Sequence, residues 1–106
     1  MNKIIEMLKN NFNIYETETD FELETWTDGG VNMFIFINKN EDILTQFKEY
    51  IENFDIDEEI DIHRQDKDYK DMFTITESVD DFRNYVQWLR GILNNLKEIL
   101  ESEVNK

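Results

Sequence analysis

Residues 16–38 read ETETDFELETWTDGGVNMFIFIN and carry the clearest strand and turn signals in the chain. Polar and apolar residues alternate over residues 14–18 and 21–27, which predicts β-strands. Asp28-Gly29-Gly30 predicts a hairpin turn, because glycine reaches positive φ without steric cost. Residues 31–38 are apolar at positions that point to both faces, which is typical of a central or doubly covered strand. These signals together predict an antiparallel meander.

Acidic residues occupy every second position in the first half of this stretch: Glu16, Glu18, Asp20, Glu22 and Glu24. On one continuous strand they would stand in a row about 6.7 Å apart, because a strand rises ~3.3 Å per residue and alternates its side chains. Such a row has the charge sign and nearly the spacing of the phosphates in an extended nucleic acid. A tight turn at Thr19-Asp20 would instead split the row between neighbouring strands and cluster the carboxylates across the pair. The simplest interpretation is a solvent-exposed sheet face.

The most regular helical pattern covers residues 78–103 and follows a start signal formed by Ser78 with Asp81 three residues later. Its apolar positions step by three and four: Val79, Phe82, Val86, Leu89, Leu93, Leu96 and Leu100. Tyr85, Ile92 and Ile99 form a second stripe beside them. A helix of this length spans about 37 Å, more than the width of a compact domain of this size. It must therefore overhang, meet the first helix or pair with a second copy of the chain.

The remaining segments predict shorter elements. Residues 2–12 place apolar side chains on one helical face, and Asn40 can cap a second helix that ends near Asp55. Residues 56–65 (IDEEIDIHRQ) predict a fourth strand or extended edge, and residues 66–76 predict a loop. The expected fold is α+β: a small antiparallel sheet, a three- or four-stranded meander, packed by the long C-terminal helix and one or two shorter helices.

The chain is strongly acidic, with 25 Asp and Glu residues against 11 Lys and Arg and a formal net charge of −14. A field of this sign repels nucleic acids and anionic membranes and attracts basic protein surfaces. Residues 41–80 are the most acidic part and contain a second run of carboxylates: Asp55, Asp57, Glu58, Glu59 and Asp61. The two acidic runs are therefore the candidate binding residues for a basic protein surface. Direct binding to nucleic acid or membrane is not expected.

The residue inventory leaves little room for catalysis or metal binding. The chain has no Cys, one His (His63) and three Gly, so thiolate chemistry is excluded and no glycine-rich phosphate loop exists. The alternating acids from Asp55 onward fail the EF-hand pattern, because the sixth position is Ile60 rather than glycine. We therefore predict no catalytic residues, no metal site, no cofactor and no enzymatic activity.

The size and the aromatic content of the chain suit one domain over residues 1–106. Phe34, Phe36 and Trp88 are expected in the core, Trp26 at the rim of a binding surface, and Tyr69 exposed in a charged loop. The first residues, MNKIIEMLKNNF, have short apolar pairs broken by charges, so they predict neither a signal peptide nor a membrane span. A cytoplasmic location is expected.

Two stretches, ELETWTDGGVNMFIFI (residues 22–37) and FDIDEEIDIHRQDKDYKDMFTITESVDDF (residues 54–82), resemble small acidic proteins of low-GC bacteria, phages and mobile elements. In size and charge the chain also resembles phage anti-CRISPR proteins, several of which occupy the nucleic-acid channel of a Cas nuclease. This resemblance implies a stoichiometric inhibitor that acts through acidic side chains on a Cas or restriction nuclease. The alternative is a cytosolic protein–protein interaction module, with a homodimer possible through the 78–103 helix, whose charge serves solubility.

Overall fold

The structure, a computed structural model, describes residues 2–104 and the side chains of residues 3–102. Three strands and five helices follow one another in this order: α1 (Asn2–Asn11), β1 (Asn13–Glu16), β2 (Asp20–Trp26), β3 (Asn32–Asn38), α2 (Ile43–Glu52), α3 (Ile56–His63), α4 (Lys67–Met72) and α5 (Ile75–Val104). The predicted α+β class, with a small antiparallel sheet and a long C-terminal helix, is confirmed.

The sheet is an antiparallel meander in the order β1-β2-β3, so that β2 is the central strand. The prediction that residues 31–38 form a central or doubly covered strand is wrong, because β3 lies at the edge. Its side chains alternate between the core and solvent: Met33, Ile35 and Ile37 are buried, whereas Phe34 and Phe36 are exposed. The helices cover only one face of the sheet, which leaves the apolar side chains of the other face in water.

The segment predicted as a fourth strand is the helix α3, so the sheet has three strands. Asp55 caps this helix by accepting a hydrogen bond from the Glu58 backbone N–H at 3.2 Å. Acidic residues in the first turn stabilise it further through the helix dipole. Ile56 and Ile60 are spaced by four and turn toward the core, whereas Ile62, which a strand would place beside Ile60, is 51% exposed.

Two helix starts differ from the predicted positions. The cap of α2 is Asp42 rather than Asn40, since Asp42 accepts from the Thr45 backbone N–H at 2.9 Å. The helix α5 begins at Ile75, because Thr74 and Glu77 form a reciprocal capping box with hydrogen bonds of 2.8 and 3.1 Å. Ser78 therefore lies inside the helix and is buried.

The segment predicted as a loop, residues 66–76, contains the short helix α4 and the start of α5. Asp66 caps α4 through the Asp68 backbone N–H at 2.9 Å. Tyr69, predicted to be exposed, is half-buried, and its hydroxyl donates to Ser78 Oγ at 2.9 Å. This contact anchors α4 on the side of α5.

The core lies between the inner sheet face and the helices, and Phe82, Leu89 and Leu96 of α5 are completely buried in it. In the second apolar stripe of α5, Tyr85 and Ile92 are each 3% exposed, whereas Ile99 is half-buried. A dimer through α5 could therefore use only the part of this surface around Trp88 and Ile99, and such a dimer stays a prediction. No helix in the described part of the chain combines the length and apolar character needed to cross a lipid bilayer.

A buried carboxylate fixes α5 to the turn between β2 and β3. Asp81 accepts a hydrogen bond of 2.6 Å from the Thr27 hydroxyl and one of 2.8 Å from the Gly29 backbone N–H. The same Thr27 oxygen accepts from the Val31 backbone N–H at 3.0 Å. A Cβ atom at Gly29 would lie 2.7 Å from the Asp81 carboxylate, so this close approach requires glycine. The turn and the long helix thus depend on one another.

Replacing Asp81 by alanine tests this connection. We expect the free energy of unfolding to fall by about 3 kcal/mol, because two donors, the Thr27 hydroxyl and the Gly29 N–H, would lose a charged acceptor. Urea denaturation followed by circular dichroism measures the change. Asp80→Ala is the matched control, since Asp80 is adjacent and exposed, and should change stability by no more than about 0.5 kcal/mol. Equal stability of the two variants would contradict the proposed role of Asp81.

Candidate functional site

The uncovered side of the sheet is the most distinctive surface of the described residues. Residues that lie opposite one another in antiparallel strands share a face, so the registers define this outer face as Asn13, Tyr15, Asp20, Glu22, Glu24, Trp26, Asn32, Phe34, Phe36 and Asn38. Four of its members are exposed aromatic residues: Phe36 (65% exposed), Trp26 (51%), Tyr15 (50%) and Phe34 (38%). Exposed apolar clusters of this kind mark interaction sites in soluble proteins.

The predicted row of five carboxylates is divided by the turn between β1 and β2. Asp20, Glu22 and Glu24 stay in line on the central strand, whereas Glu18 lies in the turn. Glu16 pairs with Phe21 and therefore belongs to the opposite, inner side of the sheet. The tight turn places even-numbered residues of β1 opposite odd-numbered residues of β2. Glu16 therefore lies on a different face of the sheet from Asp20, Glu22 and Glu24. The carboxylates thus neither form one row of five nor cluster across the two strands.

Glu16 is also the one member of the row that has a basic partner in the described part of the chain. The Lys39 ammonium lies 3.2 Å from a Glu16 carboxylate oxygen and 5.1 Å from the centre of the Phe21 ring. This pair is held at the rim of the sheet, where Lys39 follows the end of β3. Glu16 is therefore partly neutralised and lies outside the outer face.

Glu24 is held at the centre of the outer face by side chains from both neighbouring strands. Its carboxylate accepts hydrogen bonds from the Tyr15 hydroxyl at 2.9 Å, from Asn32 Nδ2 at 3.1 Å and from Asn13 Nδ2 at 3.4 Å. The Tyr15 and Asn32 hydrogen bonds lower the pKa of Glu24 below the usual range of a glutamate. The same Tyr15–Glu24 bond raises the pKa of Tyr15. Glu24 is thus a fixed, ionised group among aromatic rings.

The aromatic rings on β3 stand directly beside the carboxylates of β2. Phe36 lies opposite Glu22 and Phe34 lies opposite Glu24, and the two rings are stacked with their centroids 6.2 Å apart. No Lys or Arg occurs in any of the three strands. The outer face therefore combines negative charge with flat apolar surfaces. Arginine matches both features, because its guanidinium group stacks on aromatic rings and pairs with carboxylates.

The second acidic run does not form an extended row, because α3 winds it into a helix. Asp55 is used as the cap of this helix, and Glu59 is half-buried with its carboxylate 3.5 Å from His63 Nε2. The exposed carboxylates that remain are Asp57, Glu58 and Asp61. Because residues three and four apart are neighbours on a helix, they form a compact acidic patch without exposed aromatic residues among them.

His63 is a packing residue in the described structure. Its ring lies 5.8 Å from the ring of Phe82 and 5.4 Å from that of Tyr69, measured between centroids. No group of three or more Asp, Glu or His side chains in the described part of the chain is arranged to hold a metal ion.

Sequence reasoning missed Phe34 and Phe36, which were predicted to be core residues. Trp26 is exposed, as predicted for the rim of a surface. Trp88 was also predicted to lie in the core but is 38% exposed, although one side of its ring packs on Phe12. The signal for Phe34 and Phe36 was present in the hairpin. A turn at Asp28-Gly29-Gly30 brings them opposite the acidic residues of β2, and a soluble sheet turns those residues outward.

Replacing Tyr15 by phenylalanine tests the electrostatics of the outer face. The variant removes the main cause of the low Glu24 pKa, so we expect this pKa to rise toward that of an ordinary glutamate. A carboxyl group whose folded pKa is depressed adds stability above its unfolded pKa and loses it as the pH falls through the folded pKa. In the variant the contribution of Glu24 to stability should therefore be smaller, and its loss should be complete at a higher pH than in the wild type.

A pH titration of the Glu24 side-chain carboxyl by ¹³C NMR measures the shift. Tyr50→Phe is the matched control, because the Tyr50 hydroxyl contacts Tyr85 and not Glu24, and should leave the Glu24 titration unchanged. The same Glu24 pKa in wild type and in Tyr15→Phe would be the contrary result.

Comparison with protein family models, with curated proteins and with solved structures finds no match to this chain. A function proposed for it therefore rests on the geometry and charge of its own residues.

Proposed function

We propose that this protein is a non-enzymatic inhibitor that binds a basic nucleic-acid-binding groove of another protein in the cytoplasm. A nuclease of the CRISPR or restriction type is the partner that this proposal favours. The observation that carries it is the outer face, where Asp20, Glu22 and Glu24 lie in line on the central strand with exposed aromatic rings beside them.

The carboxylates of β2 support the comparison with a nucleic acid backbone. Three acidic side chains at every second position of a strand are spaced about 6.7 Å apart, which approximates the spacing of phosphates in an extended strand. The central position of β2 holds them in a fixed line. Glu24 is in addition fixed by three hydrogen bonds. Lysine and arginine side chains that bind phosphates could pair with this line of carboxylates.

The aromatic rings support the proposal that the partner's groove accepts bases as well as phosphates. Proteins that bind single strands combine a basic groove with positions where flat bases stack. The stacked rings of Phe34 and Phe36, with Tyr15 and Trp26 on the same face, offer flat apolar surfaces next to the carboxylates. A partner of this kind would be matched in both charge and shape.

The charge of the rest of the molecule favours the same class of partner. The net charge is −14, and the exposed carboxylates of α3 add to the field of the outer face. Such a field accelerates encounter with a basic groove and acts over about a Debye length, ~8 Å at physiological salt. Binding through the outer face would therefore be fast and sensitive to salt.

The alternative is a protein–protein interaction module whose charge serves only solubility. The exposed area of Phe36, Trp26 and Tyr15 favours this function, because an apolar partner surface could cover it without any basic residues. The two functions differ in their dependence on salt, since apolar contacts are not screened by ions.

Capture of the partner at two salt concentrations separates these functions. We expect immobilised protein to retain nucleic-acid-binding proteins from the native host at about 50 mM salt and to release most of them at about 500 mM, because exposed charges are screened. Single-stranded nucleic acid should compete with the immobilised protein for the captured partner. Retention that is indifferent to salt and to nucleic acid would favour the interaction module.

Two sets of substitutions with equal change in charge locate the binding face. The first set is Asp20→Asn, Glu22→Gln and Glu24→Gln on the outer face, and the second is Asp57→Asn, Glu58→Gln and Asp61→Asn on α3. We expect the first set to weaken binding of the captured partner by at least about tenfold and the second by less than about threefold, because only the first lies among aromatic residues that fix the interface. Isothermal titration calorimetry measures both. The reverse order would move the interface to α3.

A further inference from the structure

The backbone of β3 has an open edge beside the exposed rings. In the ladder between β2 and β3, hydrogen bonds join Thr27 to Val31 and Thr19 to Lys39, each at 2.9 Å. The alternation of an antiparallel ladder then directs the N–H and C=O groups of Met33, Ile35 and Ile37 toward β2. The backbone groups of the residues between them, Asn32, Phe34, Phe36 and Asn38, point away from the sheet.

A side chain of α2 closes one end of this edge. The Asn38 N–H donates to Gln46 Oε1 at 2.7 Å, and Gln46 Nε2 donates to the Asn38 carbonyl at 2.9 Å. The Gln46 amide thus takes the place that a peptide group of a neighbouring strand would take. No described residue makes a corresponding hydrogen bond to the outward backbone groups of Phe34 or Phe36. The edge remains open from Asn32 to Phe36.

We infer that an extended, arginine-containing segment of a partner adds to this edge as a fourth, antiparallel strand. This inference rests on the proposed function, which makes the partner basic, and specifies how the basic surface is bound. Backbone hydrogen bonds to Phe34 and Phe36 hold the segment, as in other complexes formed by strand addition. The arginine side chains of the added segment then lie on the outer face, and their contacts with its carboxylates select a basic segment over a neutral one.

The positions of the rings and carboxylates fit arginine on such a strand. An added strand lies about 4.8 Å from β3 and about 9.6 Å from β2. Arginine residues opposite Phe34 and Phe36 would cross these rings and end at Glu24 and Glu22, which lie on the far side of them. The guanidinium groups would then stack on the rings and pair with the carboxylates.

The charge of the edge argues for a basic segment and against a second copy of this chain. Pairing of β3 with the β3 of another copy would bring two molecules of net charge −14 together. A basic segment neutralises the carboxylates of Glu22 and Glu24 instead, so it is the occupant to which the inference commits.

A set of short peptides tests strand addition directly. The parent probe is a capped peptide of about seven residues in which arginine alternates with valine, a length typical of one strand. In a first derivative the backbone nitrogens of the central arginines are methylated, and in a second those of the central valines. Residues opposite Phe34 and Phe36 direct their N–H groups toward β3, so arginine methylation blocks pairing whereas valine methylation affects only the outer edge.

We expect arginine methylation to weaken binding of the peptide at least about tenfold and valine methylation to change it less than about threefold. Charge and composition are equal in the two derivatives, so general attraction to an acidic surface cannot produce this difference. In the parent complex, amide hydrogen exchange at Phe34 and Phe36 should slow at least about tenfold, because these N–H groups become hydrogen-bonded. Isothermal titration calorimetry and NMR measure the two effects.

Two substitutions at one position test the protein side of the interface. Phe36→Ala and Phe36→Pro both remove the ring, but only proline also removes the outward N–H, and an edge strand tolerates proline. We expect the proline variant to bind the parent peptide at least about threefold more weakly than the alanine variant. A thermal unfolding curve for each variant verifies that both are folded. Equal affinity of the two folded variants would contradict strand addition.

The remaining outcomes separate this inference from the proposed function. Equal binding of both methylated peptides, or no binding of the parent, overturns strand addition, while salt-sensitive capture of a nucleic-acid-binding partner would still support the proposed function. The opposite combination, strand addition of the peptide without competition by nucleic acid, would retain the edge and overturn the proposed function. Doubling of the mass with protected Phe34 and Phe36 amides in the absence of peptide would assign the edge to a second copy and overturn the inference.

Discussion

The burial of α5, with the other helices, in one core on a single face of a three-stranded sheet is the constraint on which the other features of this molecule depend. Buried residues of α1, α2, α3 and α5 form one core with the inner side chains of β2 and β3, which leaves the other side of the sheet uncovered. The Asp81 carboxylate fixes this arrangement at the turn between β2 and β3. The outer face must therefore meet water, and its aromatic residues are exposed for that reason. In most small soluble domains such positions are polar.

The position of the carboxylates follows from a turn of two residues. Glu18 and Thr19 separate the closing pair Thr17 and Asp20, and this spacing decides which residues of β1 and β2 share a face. One additional residue in the turn would exchange the faces of β1 and bring Glu16 beside the acidic residues of β2. The alternation in the sequence predicted both strands but left this turn open. Because side chains alternate with a period of two, such local details decide the composition of a whole surface.

The parts of the fold that the sequence predicted well are those with long, consistent patterns. The apolar positions of α5 cover most of a long helix and leave no alternative period, and Asp28-Gly29-Gly30 permits few conformations other than a turn.

The segment at 56–65 was ambiguous, because Ile60 and Ile62 fit a strand whereas Ile56 and Ile60 fit a helix. The Asp55 cap and the acidic residues of the first turn stabilise the helix, and the segment is helical for that reason. The edge position of β3 depends on the order of strands in space, which no local pattern contains. The exposure of Phe34 and Phe36 becomes apparent only when β2 and β3 are paired across the turn, which places both rings opposite acidic residues. The candidate site was therefore only partly predictable: its carboxylates on β2 were recognised, but its aromatic half was not.

The open edge of β3 has a consequence for how this protein behaves at high concentration. Unpaired strand edges join readily to one another, and proteins suppress this with charged residues near the edge. Here the protection comes from carboxylates on the adjacent strand and from the overall charge, since β3 itself has none. Acidification toward the isoelectric point of the sequence, at about pH 4.2, cancels the net charge that keeps copies apart, while the aromatic residues and the backbone edge remain. The same charge that directs the protein to its partner thus also keeps its copies apart, and colloidal stability and recognition are linked through one set of side chains.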